Sequence, residues 1–302
     1  MPALLNRHDV PVRLGPLLSL LVVTALAATG CRSADAEDRA GPRPCGQPDS
    51  RIYPAGSTVD RLHREGRIRV GVKKDVPGVS YLDPKTREMS GFDVEIAKLV
   101  ACRLGIPASG IEWVSAPNKE RENLIRADAV DIVVASYVIN EERKQLVSFA
   151  GPYFRDYQSV MVRRDDSTIT GPGSFRGHQI CAAKGSLSLE NIGLYGGTGV
   201  PRTDYSECVD ALIDGKVHAV SAPAAILIGQ LTLHGSEVKI VGKPFDDFPY
   251  GIGLRKDDAT FRRFLDDALE ESYADGSWRR AYDSTLGRSG IGAPIPPVVH
   301  RY

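Results

Sequence analysis

The chain has 302 residues, 42% hydrophobic and 25% charged, enough to bury a core in one or two globular domains. Lys plus Arg and Asp plus Glu each number 38, so no net field draws the chain to nucleic acid, and no basic run occurs in its folded part. Its histidines (His8, His63, His178, His218, His234 and His300) show no metal-ligand spacing, so neither a metal nor a cofactor is expected.

Arg7 and Arg13 precede an apolar run at 14–28, which Thr29, Gly30 and Cys31 follow. A positive start, a short apolar stretch and small residues before a cysteine describe an export signal over 1–30 with lipidation at Cys31. Ala28 stands where such a motif usually has Leu, and a plain signal peptide or a membrane anchor is the alternative. On this reading the chain is extracytoplasmic and lipid-anchored to the cell membrane. Residues 31–56, rich in Ala, Gly, Pro and charge, read as a flexible tether.

Hydrophobic patterning then predicts a strand at 67–72, a helix at 92–104, a strand at 111–115, a helix at 119–127 and a strand at 131–136. That last strand breaks into a polar turn, and Asn140 stands as the N-cap of a helix. Glu141 and Glu142 suit the positive end of the helix dipole, whereas Arg143 opposes it. Either Arg143 pairs with one of those acids on the surface, or it joins free amides as a receptor for a carboxylate. Strands follow at 158–163 and 179–183, a helix at 206–213, a strand at 217–221, a helix from about Ala224 and a strand at 238–241. Such alternation implies an α/β architecture with mostly parallel sheets.

Asp266 and Asp267 are adjacent on a helix, point in different directions, and read as a solvated face. No nucleophile elbow, phosphate loop or dinucleotide fingerprint occurs in a fitting context, so nothing argues for catalysis. The tail at 288–302 contains GAPIPP, cannot continue a helix, and is expected to run extended over the surface.

The segment DIVVASYVINEERKQLVSFAGPYF at 131–154 resembles a signature of the periplasmic amino-acid-binding proteins, the family 3 solute receptors of ABC importers. Further pieces stand in the family's order: VGVKKDVPGVSYLDPKTREMSGFDVEIAKLV at 70–100, CAAKGSLSLENI at 181–192, YSECVDALIDGKVHAVSA at 205–222 and PFDDFPYGIGLRKDD at 244–258. The resemblance covers 57–287 and is nearest in kind to actinobacterial glutamine- and glutamate-binding lipoproteins. It implies the two-lobed periplasmic-binding-protein type II fold, with a discontinuous lobe 1 at 57–153 and 251–287 and lobe 2 at 154–250. Two crossing strands, near 153–158 and 248–252, would form the hinge, and the ligand would sit at the carboxyl ends of strands. The implied function is capture of a small carboxylate, an amino acid of the Glu, Gln, Asp or Asn class, by a monomer that serves an ABC permease or a membrane-bound sensor. An enzyme on the same fold, of the cyclohexadienyl dehydratase kind, is the rival reading.

By the same resemblance Arg143 grips the ligand's α-carboxylate, the Val138 amide joins it, and the Ser136 carbonyl accepts from an α-ammonium. The turn from Lys184 to Ser188 would offer amides from the other lobe, with Ser188 the best-placed donor. Arg121 and Lys73 or Lys74 lie near positions that line the cleft in acidic-amino-acid receptors, although the lysines also fit a strand end in solvent. Tyr81 and Phe92 flank the ligand or belong to the core.

Three positions depart from the family pattern. Val138 and Leu187 stand where a hydroxyl is common, and Pro223, beside Ala224, replaces an Asp that would neutralise the ammonium. Asp246 or Asp247 replaces that acid, the ligand lacks an ammonium, or the chain is a weak sensor or scaffold. With Cys31 lipidated, four cysteines remain in an oxidising compartment. The resemblance points to Cys181 with Cys208, which leaves Cys45 with Cys102; a free buried Cys102 thiol is the alternative.

Overall fold

The structure, a computed structural model, describes residues 53–290 and 292–301. The expected signal peptide, Cys31, Cys45 and the tether up to Ile52 lie outside the described residues. From the N-terminal side come α1 (Thr58–Glu65), β1 (Ile68–Val72), a meander of β2 (Asp75–Val76), β3 (Ser80–Leu82) and β4 (Met89–Ser90), then α2 (Phe92–Arg103), β5 (Ile111–Ser115), α3 (Arg121–Arg126), β6 (Ile132–Val133) and α4 (Glu141–Leu146). A long strand, β7 (Ser148–Arg163), leads to β8 (Gln179–Ala183), α5 (Leu187–Ile192), β9 (Thr198–Arg202), α6 (Tyr205–Ile213), β10 (Ala219–Pro223) and α7 (Ala224–His234). The second long strand, β11 (Val238–Leu254), returns to pair with β6, and α8 (Ala259–Ala274) and α9 (Ser277–Asp283) follow.

Caps set several of these boundaries. Ser57 Oγ accepts from the Asp60 amide at 3.2 Å to start α1, and Gly66, at φ 63, ends it. Asn140 Oδ1 accepts from the Arg143 amide at 2.8 Å, so α4 begins where the sequence places it.

The main sheet runs β5-β1-β6-β11-β7-β10-β8-β9. β1 is parallel to β5 and β6, and β8 is parallel to β9 and β10, as α/β alternation requires. The centre differs from the expected mostly parallel sheet, because β7 and β11 run antiparallel to each other, to β10 and to β6. The fold is therefore two-lobed, with β1, β5 and β6 on one side, β8, β9 and β10 on the other, and these two long strands crossing between. Ser136, at φ 47, turns the chain out of the sheet, which is why β6 stops at Val133 rather than at residue 136.

The core under the crossing is aromatic. Phe92 makes edge contacts with Phe154, Trp278 and Tyr282, and Trp278 Nε1 donates to the Tyr153 carbonyl at 2.8 Å. Phe92 is thus core rather than ligand wall. Asp266 corrects the solvated-face reading. It is 2% exposed and accepts from the Gly151 amide at 2.9 Å, and burial raises its carboxyl to about 6. Only Asp267 faces solvent, where Arg301 meets it. The tail is likewise more than a surface strand: Val299 is buried, the His300 amide donates to the Gly151 carbonyl at 2.8 Å, and Arg301 binds Asp267 and Glu270 on α8.

Contacts also join the two lobes away from the crossing strands. Asp75, on β2, accepts at 3.2 Å from the Tyr205 amide that heads α6, and Gln230 on α7 donates to the Asp75 carbonyl at 2.9 Å. α7 packs so closely there that a Cβ on Gly229 would stand 2.2 Å from the Pro77 carbonyl oxygen.

Candidate functional site

Where β1 ends, its last residue Val72 is followed by Lys73, which is 5% exposed and so is no solvated strand end. Its ammonium is hydrogen-bonded to Asn118 Oδ1 and stands 5.2 Å from the centre of the Tyr205 ring, a residue of the opposite lobe. Burial pulls this lysine down to about 8, and the nearby Asp75 charge opposes that shift.

Arg121, the first residue of α3, is 1% exposed and lies 4.2 Å over the Tyr137 ring. It donates to the Asn118 carbonyl at 3.1 Å, the Ala135 carbonyl at 3.3 Å and, across the cleft, the Gly185 carbonyl at 3.4 Å. Burial, with Arg143 adding to it, lowers its guanidinium to about 10, still charged at neutral pH.

Arg143, whose amide is held by the Asn140 cap, is buried on α4. Its Nη1 donates to the Val138 carbonyl at 2.8 Å and its Nη2 to the Gly185 carbonyl at 3.1 Å, while Nε lies 3.6 Å from Glu122 Oε1. Its acidic partner is therefore Glu122, and not Glu141 or Glu142 as a surface pairing would have it. Gly185 is at φ 76, and a Cβ there would meet Lys119 Cα at 2.9 Å, so this close approach across the cleft requires glycine.

These three cations share one cleft with Ser136 and Val138 on the first-lobe side and with Leu187, Ser188, Tyr205 and Pro223 from the second. Its remaining cavity is ≈ 10 Å³, room for about one water. The lobes must part, or side chains swing, before a solute enters. Ser188 Oγ is buried and makes no hydrogen bond of normal geometry among the described residues, although the Tyr205 hydroxyl interacts with it and with Ser186. A buried hydroxyl in that condition fits a ligand contact.

Tyr81 and Lys184 are not on this wall. Tyr81 is half-buried on β3, where it pairs with Asp75 and Ser90. Lys184 is exposed and its amide is taken by the Arg202 carbonyl at 2.7 Å; the turn it begins presents the Gly185 carbonyl to the arginines. The acids suggested as stand-ins at Pro223 are also engaged elsewhere. Asp246 accepts from Asn191 and Tyr195, each at 2.9 Å, and Asp247 pairs with Arg155.

Sequence reasoning missed the supports behind the wall. Glu122 accepts from the Tyr137 hydroxyl at 2.5 Å and faces Arg143. Asp93 accepts from the Ser136 amide at 2.8 Å, the Ser136 hydroxyl at 3.1 Å and the Tyr153 hydroxyl at 2.7 Å, and burial raises it to about 6. Asp93 stands beside Phe92 and Val94 at the start of α2, but Glu95 shares its turn, and no local signal separates Asp93 or Glu122 from a solvated acid.

Two second-lobe elements that lead to the wall are tied together covalently. Cys181 on β8 and Cys208 on α6 form a disulfide, as the resemblance implied. Cys102 is also disulfide-bonded rather than a free thiol; its expected partner Cys45 lies outside the described residues.

An anion on this wall favours charged Lys73, so its binding carries a pH dependence of defined sign. The lysine is charged below about 8 and neutral above it, and a bound anion pulls a proton back on. Affinity should be constant near pH 7 and fall as pH rises through 8, by up to about tenfold per pH unit. Titration calorimetry at pH 7 and about 9.5 measures this. Lys73→Met should flatten the profile, and a wild-type affinity that does not change would contradict it.

Among the described residues no group of three His, Cys, Asp or Glu side chains could hold a metal ion, and no helix is long and apolar enough to cross a membrane.

Comparison with known proteins agrees with this arrangement. Residues 68–288 match the bacterial extracellular solute-binding proteins, family 3. The chain is 36% identical over 238 residues to the glutamate-binding protein GluB of Corynebacterium glutamicum, covering 75% of this chain and 80% of that protein. It is 28% identical over 268 residues to the ABC transporter glutamine-binding protein GlnH of Bacillus subtilis, 88% and 93% of the two chains. Among solved structures, an ancestral arginine-binding protein bound to glutamine superposes with a TM-score of 0.69 at 28% identity, over 74% of this chain and 98% of that one. These relatives are named as binding proteins rather than enzymes. Because the matched span contains both crossing strands, the cleft and all three of its cations, the chain belongs to the bacterial extracellular solute-binding proteins of family 3.

Proposed function

We propose that this chain is a lipid-anchored, extracytoplasmic receptor that closes two lobes on a small carboxylate of glutamate size and delivers it to an ABC permease. The observation that carries the reading is the cleft wall: Lys73, Arg121 and Arg143 line it together, and among the described residues no carboxylate does. Burying like charges side by side is unfavourable unless an anion enters between them. The relatives named for glutamate and glutamine support an acidic amino acid or its close analogues, and the cations favour the acid over the amide. Relatives named for ABC import support delivery to a permease. In this reading lobe 1 is 57–153 with 251–287 and lobe 2 is 154–250, joined where β7 and β11 cross. One chain carries both lobes and the whole cleft, so a monomer suffices.

The test is a thermal-shift panel on the purified protein with L-glutamate, L-aspartate, L-glutamine, L-asparagine and the matching dicarboxylates. A ligand at a hundred times its Kd stabilises by about 2.7 kcal/mol, which such a panel resolves. Stabilisation by an acid, and less by its amide, supports the reading; no response to any of them sinks it.

Closure and anchoring give two more expectations. Gly229→Ala puts a methyl group against the Pro77 carbonyl and should hold the lobes apart, weakening ligand binding by about tenfold with each lobe still folded. Wild-type affinity in that variant would show that this contact is not part of closure. Cys31→Ser should abolish incorporation of labelled fatty acid and release the protein from the membrane. Continued labelling would rule out Cys31 as the anchor.

A further inference from the structure

Resting on the reading of this cleft as a carboxylate receptor, we infer that it selects a dicarboxylate without an ammonium group over an amino acid, and that Pro223 sets this choice. Two carboxylates of one ligand can be shared among Lys73, Arg121 and Arg143. An ammonium in the same small space would meet three buried cations at close range, and their repulsion is poorly screened there.

No acid lines the wall beside those cations. The carboxylates around the cleft lie outside its lining: Glu190 acts on Arg143 and Arg121, and Asp204 on Lys73, from beyond the wall, and the others are held by partners. Asp93 is engaged by Ser136 and Tyr153, Glu122 by Tyr137 and Arg143, and Asp75 by the head of α6. Asp156, at the head of α7, accepts from the Ala225 amide at 3.1 Å, the Tyr250 hydroxyl at 2.8 Å and the Tyr157 amide at 2.8 Å, and does not line the cleft. It caps the head of α7.

What the second lobe does present at the head of α7 is apolar. Pro223 has no N–H and no side-chain acceptor, and Ile226 and Phe248 complete that part of the wall. An ammonium against this surface would be desolvated without a charged acceptor in return. A methylene of a dicarboxylate loses nothing there.

The experiment is titration calorimetry on the full chain in detergent with glutarate and with L-glutamate, which differ by the ammonium alone, for wild type and Pro223→Asp. Wild type should bind glutarate at least about tenfold tighter than L-glutamate, and Pro223→Asp should move the ratio toward L-glutamate by at least about tenfold. L-glutamate binding wild type as tightly as glutarate would overturn the inference and leave the carboxylate-receptor reading in place. Binding of neither would overturn both. A glutarate preference that Pro223→Asp leaves untouched would overturn the role given to Pro223; should that variant not fold, the wild-type order alone decides the ligand class.

Discussion

Arg143→Ala is expected to weaken binding of the acid by about a hundredfold or more. A guanidinium offers a carboxylate two parallel donors, and each charge-assisted bond contributes about 1.5–3 kcal/mol, so losing both removes at least about 3 kcal/mol. That is at least two decades in Kd. The side chain also donates to the Val138 and Gly185 carbonyls and faces Glu122, so the variant should lose some stability as well, on the order of 1–3 kcal/mol. Arg143→Lys separates the two contributions of the residue. It keeps the charge and loses the fork, and should fall between wild type and alanine. Calorimetry on the three proteins reads these values, and an alanine variant within threefold of wild type would contradict the role assigned to Arg143.

The second large effect is on stability. Cys181 and Cys208 are 27 residues apart and both fully buried. Closing a loop of that length in the unfolded chain corresponds to roughly 3.5 kcal/mol. Cys181→Ser should therefore lower Tm by roughly 10 °C. The same change should weaken ligand binding, because β8 leads into the turn that carries Gly185 and Ser188, and α6 carries Tyr205. Without the cross-link those wall residues are held only by packing. A Tm within about 2 °C of wild type would show that the lobe does not depend on this bond.

Several elements on either side of the crossing were legible because their patterns are plain. β1, β5 and β8 are short apolar runs, and α2 has a buried face interrupted only by its own charges. The crossing strands have no such plain pattern. The resemblance alone placed the crossing, near 153–158 and 248–252; of β7, patterning gave only the far end, at 158–163, since Gly151, Pro152 and Asp156 break the apolar pattern that its neighbours in the sheet nevertheless bury. β9 was missed for the opposite reason. It is an exposed edge strand containing Gly199 and Pro201, and an edge tolerates both.

In the cleft, Arg143 was legible as a cation that opposed its own helix dipole, and the resemblance placed it. Lys73 and Arg121 had no local mark that separated a ligand wall from a solvated surface; burial by residues far along the chain decides that. Val138, Leu187 and Pro223, the three apolar departures from the family pattern, all stand on the wall, so their meaning depended on knowing that no acid stands beside them. Asp266 shows the limit of reading charge from sequence, because its partner is a backbone amide 115 residues away.

The most direct test of the three-cation cleft is a crystal structure of the protein with the tightest-binding acid from the panel. A carboxylate should lie about 3 Å from the Arg143 guanidinium, with Lys73 or Arg121 on the second acidic group and Ser188 Oγ now partnered. An acid bound elsewhere, with Arg143 still donating to the Val138 and Gly185 carbonyls and no ligand oxygen within reach, would contradict the account.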